Sequence, residues 1–110
     1  MRTTWSSEDG VTITLDQLLA DTQSVSVKKI NVEKLAEKVL NWNDDPREWE
    51  KVKSVDLSYP PIVLMSGSDV TRIIDGNHRV QKVIQLGYKE IDAKLISLDK
   101  LPIEYEKVFG

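Results

Sequence analysis

The run Ile73-Ile74-Asp75-Gly76-Asn77-His78-Arg79-Val80 constrains the chain more than any other. It begins as a short apolar strand, passes through a glycine turn, and continues with Val80, Val83 and Ile84 at helical spacing. The first amides of a helix lack carbonyl partners within it, and the dipole is positive at that end. Structural helices tend to place Asp or Glu there, whereas this one carries His78 and Arg79. A Gly-Asn-His-Arg start is odd for packing and well suited to holding a phosphate or carboxylate.

The flanking sequence predicts strands and helices around this turn. Val11–Thr14 alternates like a strand, and Thr14 can cap a helix through Leu15, Leu18 and Leu19. A second strand is expected over 24–30, with Asn31 capping a helix whose apolar stripe holds Val32, Leu35, Val39 and Trp42. Residues 41–45 read as a turn, and Pro46 opens a further helix with Trp49 and Val52. Ile62–Met65 is a continuous apolar strand joined through Ser66–Asp69 to Val70–Ile74, a hairpin. Gly87 closes the helix after the turn, and Ile91, Ala93 and Leu95 face one way along a last strand. Residues 1–10 read as a polar leader in which Trp5 can dock, and residues 11–110 as one domain. The tail, 98–110, can pack through Leu101, Ile103, Val108 and Phe109. The expected fold is α/β (α+β): a small mixed sheet with packed helices.

Composition narrows the chemistry. The 110 residues suffice for one domain with a modest core. A net charge of -3 argues against a broad basic surface for nucleic acid, although a local basic pocket fits. With no cysteine and a single histidine, disulfides, thiolate nucleophiles and most zinc sites are excluded. Magnesium held by carboxylates and a substrate phosphate is compatible with this inventory. There is no apolar run of membrane-spanning length, and residues 1–5 lack a signal-peptide core, so no membrane partner and a cytoplasmic location are expected.

Pro61-Ile62-Val63-Leu64, the Asp75-Gly76-Asn77-His78-Arg79 turn, Leu86-Gly87-Tyr88 and Ile91-Asp92-Ala93-Lys94-Leu95-Ile96 together resemble the ParB/sulfiredoxin superfamily, here as a standalone ParB-like domain. The resemblance implies a ParB/sulfiredoxin-like fold and a phosphate site on the helix start, holding CTP in partition proteins, ATP in sulfiredoxins and ADP in free-serine kinases. Magnesium with ATP, ADP or CTP is the implied cofactor. Nucleotide hydrolysis, phosphoryl transfer and a ParB-like nuclease activity are the implied reactions. Asn77 stands where sulfiredoxins have their cysteine, which removes that chemistry, and the turn departs from the paired-arginine pattern common in ParB. The chain ends where partition proteins continue into DNA-binding and dimerisation domains, so a chromosome-partition role is not expected.

Each candidate has a functional and a structural role open to it. Gly76 lets a phosphate approach the backbone, or simply supplies the turn. Asn77 donates to the ligand, or caps the helix. His78 contacts the ligand or takes part in catalysis, or is a packed histidine. Arg79 binds phosphate through its planar fork, or pairs with Asp75. Asp75 is then that structural partner, or it binds a metal or orients His78. Glu33, Asp56 and Asp69 are available as a general base, and no spacing singles one out. Trp42 and Trp49 read as packing residues, and Tyr59 either stacks on a base or covers the core. Two functions stand: a nucleotide- or phosphate-binding enzyme or sensor, and a non-catalytic interaction module of the phage- or plasmid-inhibitor type that grips a partner protein. Direct nucleic-acid binding ranks below both.

Overall fold

In the computed structural model, which describes residues 3–42 and 45–110, the chain runs β1 (Thr4–Ser6), β2 (Thr12–Thr14), α1 (Leu15–Asp21), β3 (Val27–Asn31), α2 (Val32–Ala36), α3 (Pro46–Ser54), β4 (Ile62–Ser66), β5 (Asp69–Asp75), α4 (Asn77–Leu86), β6 (Glu90–Ile96), a 3-10 turn (Leu98–Lys100) and α5 (Ile103–Phe109). This is an α+β fold with a mixed sheet. The chain forms two compact units, Met1–Val25 with Ile96–Gly110, and Ser26–Leu95. No helix among the described residues is long and apolar enough to cross a membrane.

In the first unit, β1 and β2 pair antiparallel, with Trp5 opposite Ile13. Part of the expected leader is therefore a strand. Its polar composition hides the alternation, because only Trp5 among Thr4–Ser6 has an apolar side chain to place inward. Trp5 meets Phe109 edge-on, with ring centroids 5.9 Å apart. Thr14 caps α1 as its position predicts, its hydroxyl accepting from the Gln17 amide at 3.1 Å. In the tail Tyr105 and Phe109 are buried while Ile103 is exposed. The Tyr105 hydroxyl donates to Asp21 Oδ2 at 2.8 Å.

In the second unit the sheet order is β3-β6-β4-β5, with β3 antiparallel to β6 and β4 antiparallel to β5. Ile62, Val63 and Leu64 are all buried, as a continuous apolar strand requires. The core gathers Ile30, Leu35, Val63, Val70, Ile73, Val80 and Ala93. Asn31 caps α2 by accepting from the Glu33 amide, and Asp45 caps α3 ahead of Pro46. Helix α2 ends at Ala36, sooner than its stripe predicts: Val39 still packs on the core, whereas Trp42 goes elsewhere. Of the expected 41–45 turn, Asn43 and Asp44 lie outside the described residues. Lys82 on α4 donates to the carbonyls of Lys53 and Val55, so a cation holds the carboxyl end of α3.

The junction of β5 and α4 turns on Gly76. Its φ is +100°, and a Cβ built there would lie 2.7 Å from Pro61 Cβ and 2.9 Å from Pro61 Cα. Backbone strain and a backbone collision thus act together. Gly76→Ala is expected to destabilise the protein by on the order of 2 kcal/mol, read as a lower denaturation midpoint.

Burial, and then the bond to Asp21, push the Tyr105 phenol well above its ordinary value. The folded state holds this proton more tightly than the unfolded one, so the stabilisation is complete below the unfolded value of about 10. It declines as pH rises from there toward the raised folded value. Alkaline unfolding above about pH 10 should therefore be steeper in the wild type than in Tyr105→Phe; circular dichroism across the alkaline range measures both.

Candidate functional site

The expected site lies in the second unit, and α4 distributes its residues. Gly76 precedes the helix as a left-handed cap without a side-chain bond, and the Val80 amide returns to the Gly76 carbonyl at 3.0 Å. Asn77 is consequently the first helical residue and not the cap that its side chain suggested. Its Oδ1 accepts from the Leu40 amide at 3.0 Å, and its Nδ2 donates to the Ile73 carbonyl at 3.3 Å. Gln81, one turn on, donates to the Leu40 carbonyl at 2.9 Å. Both backbone groups of Leu40 are held by side chains of α4.

His78 faces α3. Its Nε2 lies 2.7 Å from Glu48 Oε2, and its ring stacks on Trp42 with centroids 4.5 Å apart and an interplanar angle of 11°. Trp42 in turn meets Trp49 edge-on at 5.9 Å. The bond from His78, and more weakly Lys51, hold the Glu48 carboxyl below its ordinary range. An ionised carboxylate only accepts, so Nε2 is the nitrogen that donates.

Arg79 faces another way. Its side chain is 20% exposed, and its Nη1 lies 3.6 Å from Asp75 Oδ2, an ion pair too long for a hydrogen bond. Its Nε is buried without an acceptor. The guanidinium carbon lies 5.8 Å from the centre of the Tyr59 ring, within cation–π range. Arg79 lines a cleft of about 340 Å³ together with Lys29, Tyr59, Tyr88, Glu90 and Asp92. Tyr59 and Tyr88 are 62% and 51% exposed, so neither covers the core. Lys29 pairs with Asp92 across the cleft wall at 3.5 Å.

The turn thus sends Arg79 to the cleft, His78 to Glu48 and Asn77 to Leu40. Of the three possible bases, Asp56 stands nearest in effect: its carboxyl is lowered by bonds from Ser58, and further by the charges of Arg79 and Lys82. Glu33 and Asp69 line a separate hollow that contains none of residues 75–79. Among the described residues no three His, Cys, Asp or Glu side chains gather as a metal group. Sequence reasoning missed Glu48 and the cleft role of Tyr88. Glu48 lies 30 residues from His78, and only its place on the first turn of α3 hinted at a special role.

The Glu48 pairing is pH-dependent with a definite sign. Its folded pKa is depressed, so the unfolded state binds the proton more readily and stability rises with pH through this range. The contribution is complete above the ordinary glutamate value of about 4.3 and is lost as pH falls through the lowered folded value. Tryptophan fluorescence followed down an acid titration should reveal that loss in the wild type, and Glu48→Gln should flatten it. No protein family, curated protein or solved structure matches the chain.

Proposed function

We propose that the second unit binds a phosphate-bearing ligand, with a nucleotide as the best fit, in the cleft beside Arg79. The observation that carries this reading is the Arg79 side chain. A largely buried guanidinium has its charge offset by Asp75 but keeps a buried Nε with no acceptor. Such donors are rare in folded proteins, and an incoming acceptor would satisfy this one. A phosphate supplies several acceptor oxygens, and the planar fork of arginine matches them. The cleft falls within the range of small-ligand pockets, and its exposed Tyr59 and Tyr88 offer ring faces for a base. Gly76, Asn77 and His78 do not line this cleft, and the side chains of Asn77 and His78 are engaged elsewhere, so Arg79 alone of the turn would meet the ligand.

The implied magnesium would enter with the nucleotide, and Glu90 and Asp92 are the cleft carboxylates that could meet it. Hydrolysis, phosphoryl transfer or nucleic-acid cleavage would further require a base to act on a nucleophile, and Asp56 is the carboxylate whose charge already senses Arg79. The second reading, a non-catalytic module that grips a partner protein, draws on Val27, Tyr59 and Tyr88, all exposed and all lining the same cleft.

A thermal-shift panel of phosphate, pyrophosphate, ADP, ATP and CTP with magnesium separates the two. Ligand at about a hundred times its Kd adds roughly 2.7 kcal/mol, which is several degrees for a chain of this size. A shift in the wild type that Arg79→Ala abolishes supports the phosphate site. An unmoved Tm throughout the panel favours the interaction module.

A further inference from the structure

β3 is the terminal strand of its sheet, so one of its edges faces no other strand. The ladder decides which backbone groups lie on that edge. In an antiparallel pair alternate residues turn their amide and carbonyl toward the neighbour, and the others turn theirs away. The register sets Val27 opposite Lys94, Lys29 opposite Asp92 and Asn31 opposite Glu90. One step further on, the Val32 amide reaches the Lys89 carbonyl at 2.9 Å, whereas the Lys94 amide turns away from β3 to the Pro61 carbonyl. Lys28 and Ile30 therefore bond to β6, and Val27 and Lys29 present their amides and carbonyls outward. Among the described residues no backbone group meets them there. Val27 is 49% exposed and the Lys29 side chain 71%, so this edge is open to solvent.

An open edge is a template for another strand, and lysines on it guard against pairing of like copies. Lys28 and Lys29 stand side by side in a strand without an acid, in a chain of net charge -3. Two copies of β3 paired antiparallel through the middle of the strand would set Lys29 against itself, which is repulsive. A strand that carries carboxylates meets the opposite situation. Lys28 has no ion-pair partner among the described residues. Lys29 has only Asp92 at 3.5 Å, with both side chains mostly exposed, a pair weak enough to be shared. Val27 and Lys29 also line the cleft that holds Tyr59 and Tyr88. Alternate side chains of an added strand would fall beside Val27 on the cleft face and beside Lys28 on the other.

We propose that the outer edge of β3 docks an extended acidic segment of another protein, which joins the sheet as an added strand. The segment alternates apolar side chains on the cleft face with Asp or Glu near Lys28. Its main chain supplies affinity through the free groups of Val27 and Lys29, and the lysines and the cleft supply selectivity. This gives an occupant to the second reading above and does not rest on the phosphate reading.

The test uses the full isotope-labelled chain and amide NMR. The probe is a capped octapeptide alternating valine and glutamate, and its valine–lysine counterpart is the control. The glutamate peptide should bind and slow hydrogen exchange at the Val27 and Lys29 amides, with little change at Lys28 and Ile30, which β6 already protects. Lys28→Glu breaks no ion pair of the described residues; it should weaken that binding about threefold or more and make the lysine peptide the better ligand. Val27→Pro removes an outward donor and leaves the β6 ladder whole, so it should weaken binding of the glutamate peptide with the rest of the amide spectrum retained. No binding of the glutamate peptide by the wild type overturns the proposal. Binding that leaves exchange at Val27 and Lys29 unchanged overturns strand addition, and equal binding of the two peptides overturns the acidic occupant. Slowed exchange at the same amides on concentrating the protein alone would make a second copy the occupant and overturn it too. The phosphate reading stands or falls on the ligand panel, whatever the peptides do.

Discussion

The approach of Gly76 to Pro61 is the constraint from which the rest of the second unit follows. At this point β5 ends and α4 begins within one residue, and the missing Cβ lets the 57–61 loop lie directly against the helix start. An α-helix turns about 100° per residue, so once its first residue is fixed the directions of the next three are fixed as well. Asn77 meets Leu40, His78 meets α3 and Arg79 meets the cleft. Any other residue at position 76 would displace either Pro61 or the helix, and either change would move all three partners at once.

The two faces of α4 are held by different physics. Val80 and Val83 are buried, and their contribution depends on area removed from water. Asn77, His78 and Gln81 use hydrogen bonds to neighbouring segments, with His78 still 31% exposed. Burial is non-directional and tolerates small shifts, whereas these bonds demand particular atoms at particular distances. The apolar face therefore fixes where α4 sits, and the polar face fixes what α4 holds. Ordering of the 40–42 segment depends on the second set, in which the bond from His78 to Glu48 is the one that acid reaches.

What the sequence made legible was local. Thr14, Asn31, Pro46 and Gly87 each act within a few residues of their own position, so local chemistry alone placed four helix ends. The Ile62–Leu64 strand was equally readable, because a continuous apolar run can only be buried. What escaped depended on separation in the chain. Glu48 and His78 are 30 residues apart, and Leu40 and Asn77 are 37 apart, and no periodicity reports either meeting. Asn77 misled for a related reason. Its type suits a cap, but whether it caps depends on the left-handed turn at Gly76, which shifts the helix start by one residue. Tyr59, whose type favours covering the core, instead lies exposed in the cleft, because an aromatic side chain suits either place and only the fold decides between them.

Arg79 separates two requirements that are often met together. Its charge is balanced: Asp75 stands at 3.6 Å, and Asp56 senses the same guanidinium. Its hydrogen bonding is incomplete, because Nε is buried without an acceptor and Asp75 is too far to supply one. An unsatisfied buried donor costs about 1–3 kcal/mol, and one more fixed carboxylate close to Nε would remove that cost at the risk of excess negative charge in the cleft. Asp75 is four residues before Arg79, across the turn, and balances its charge without completing its hydrogen bonds. The arrangement is therefore neutral enough to fold and unsatisfied enough to gain from an incoming acceptor. If the cleft takes a phosphate, as proposed, an oxygen brought to Nε would recover the desolvation cost already present in the free protein.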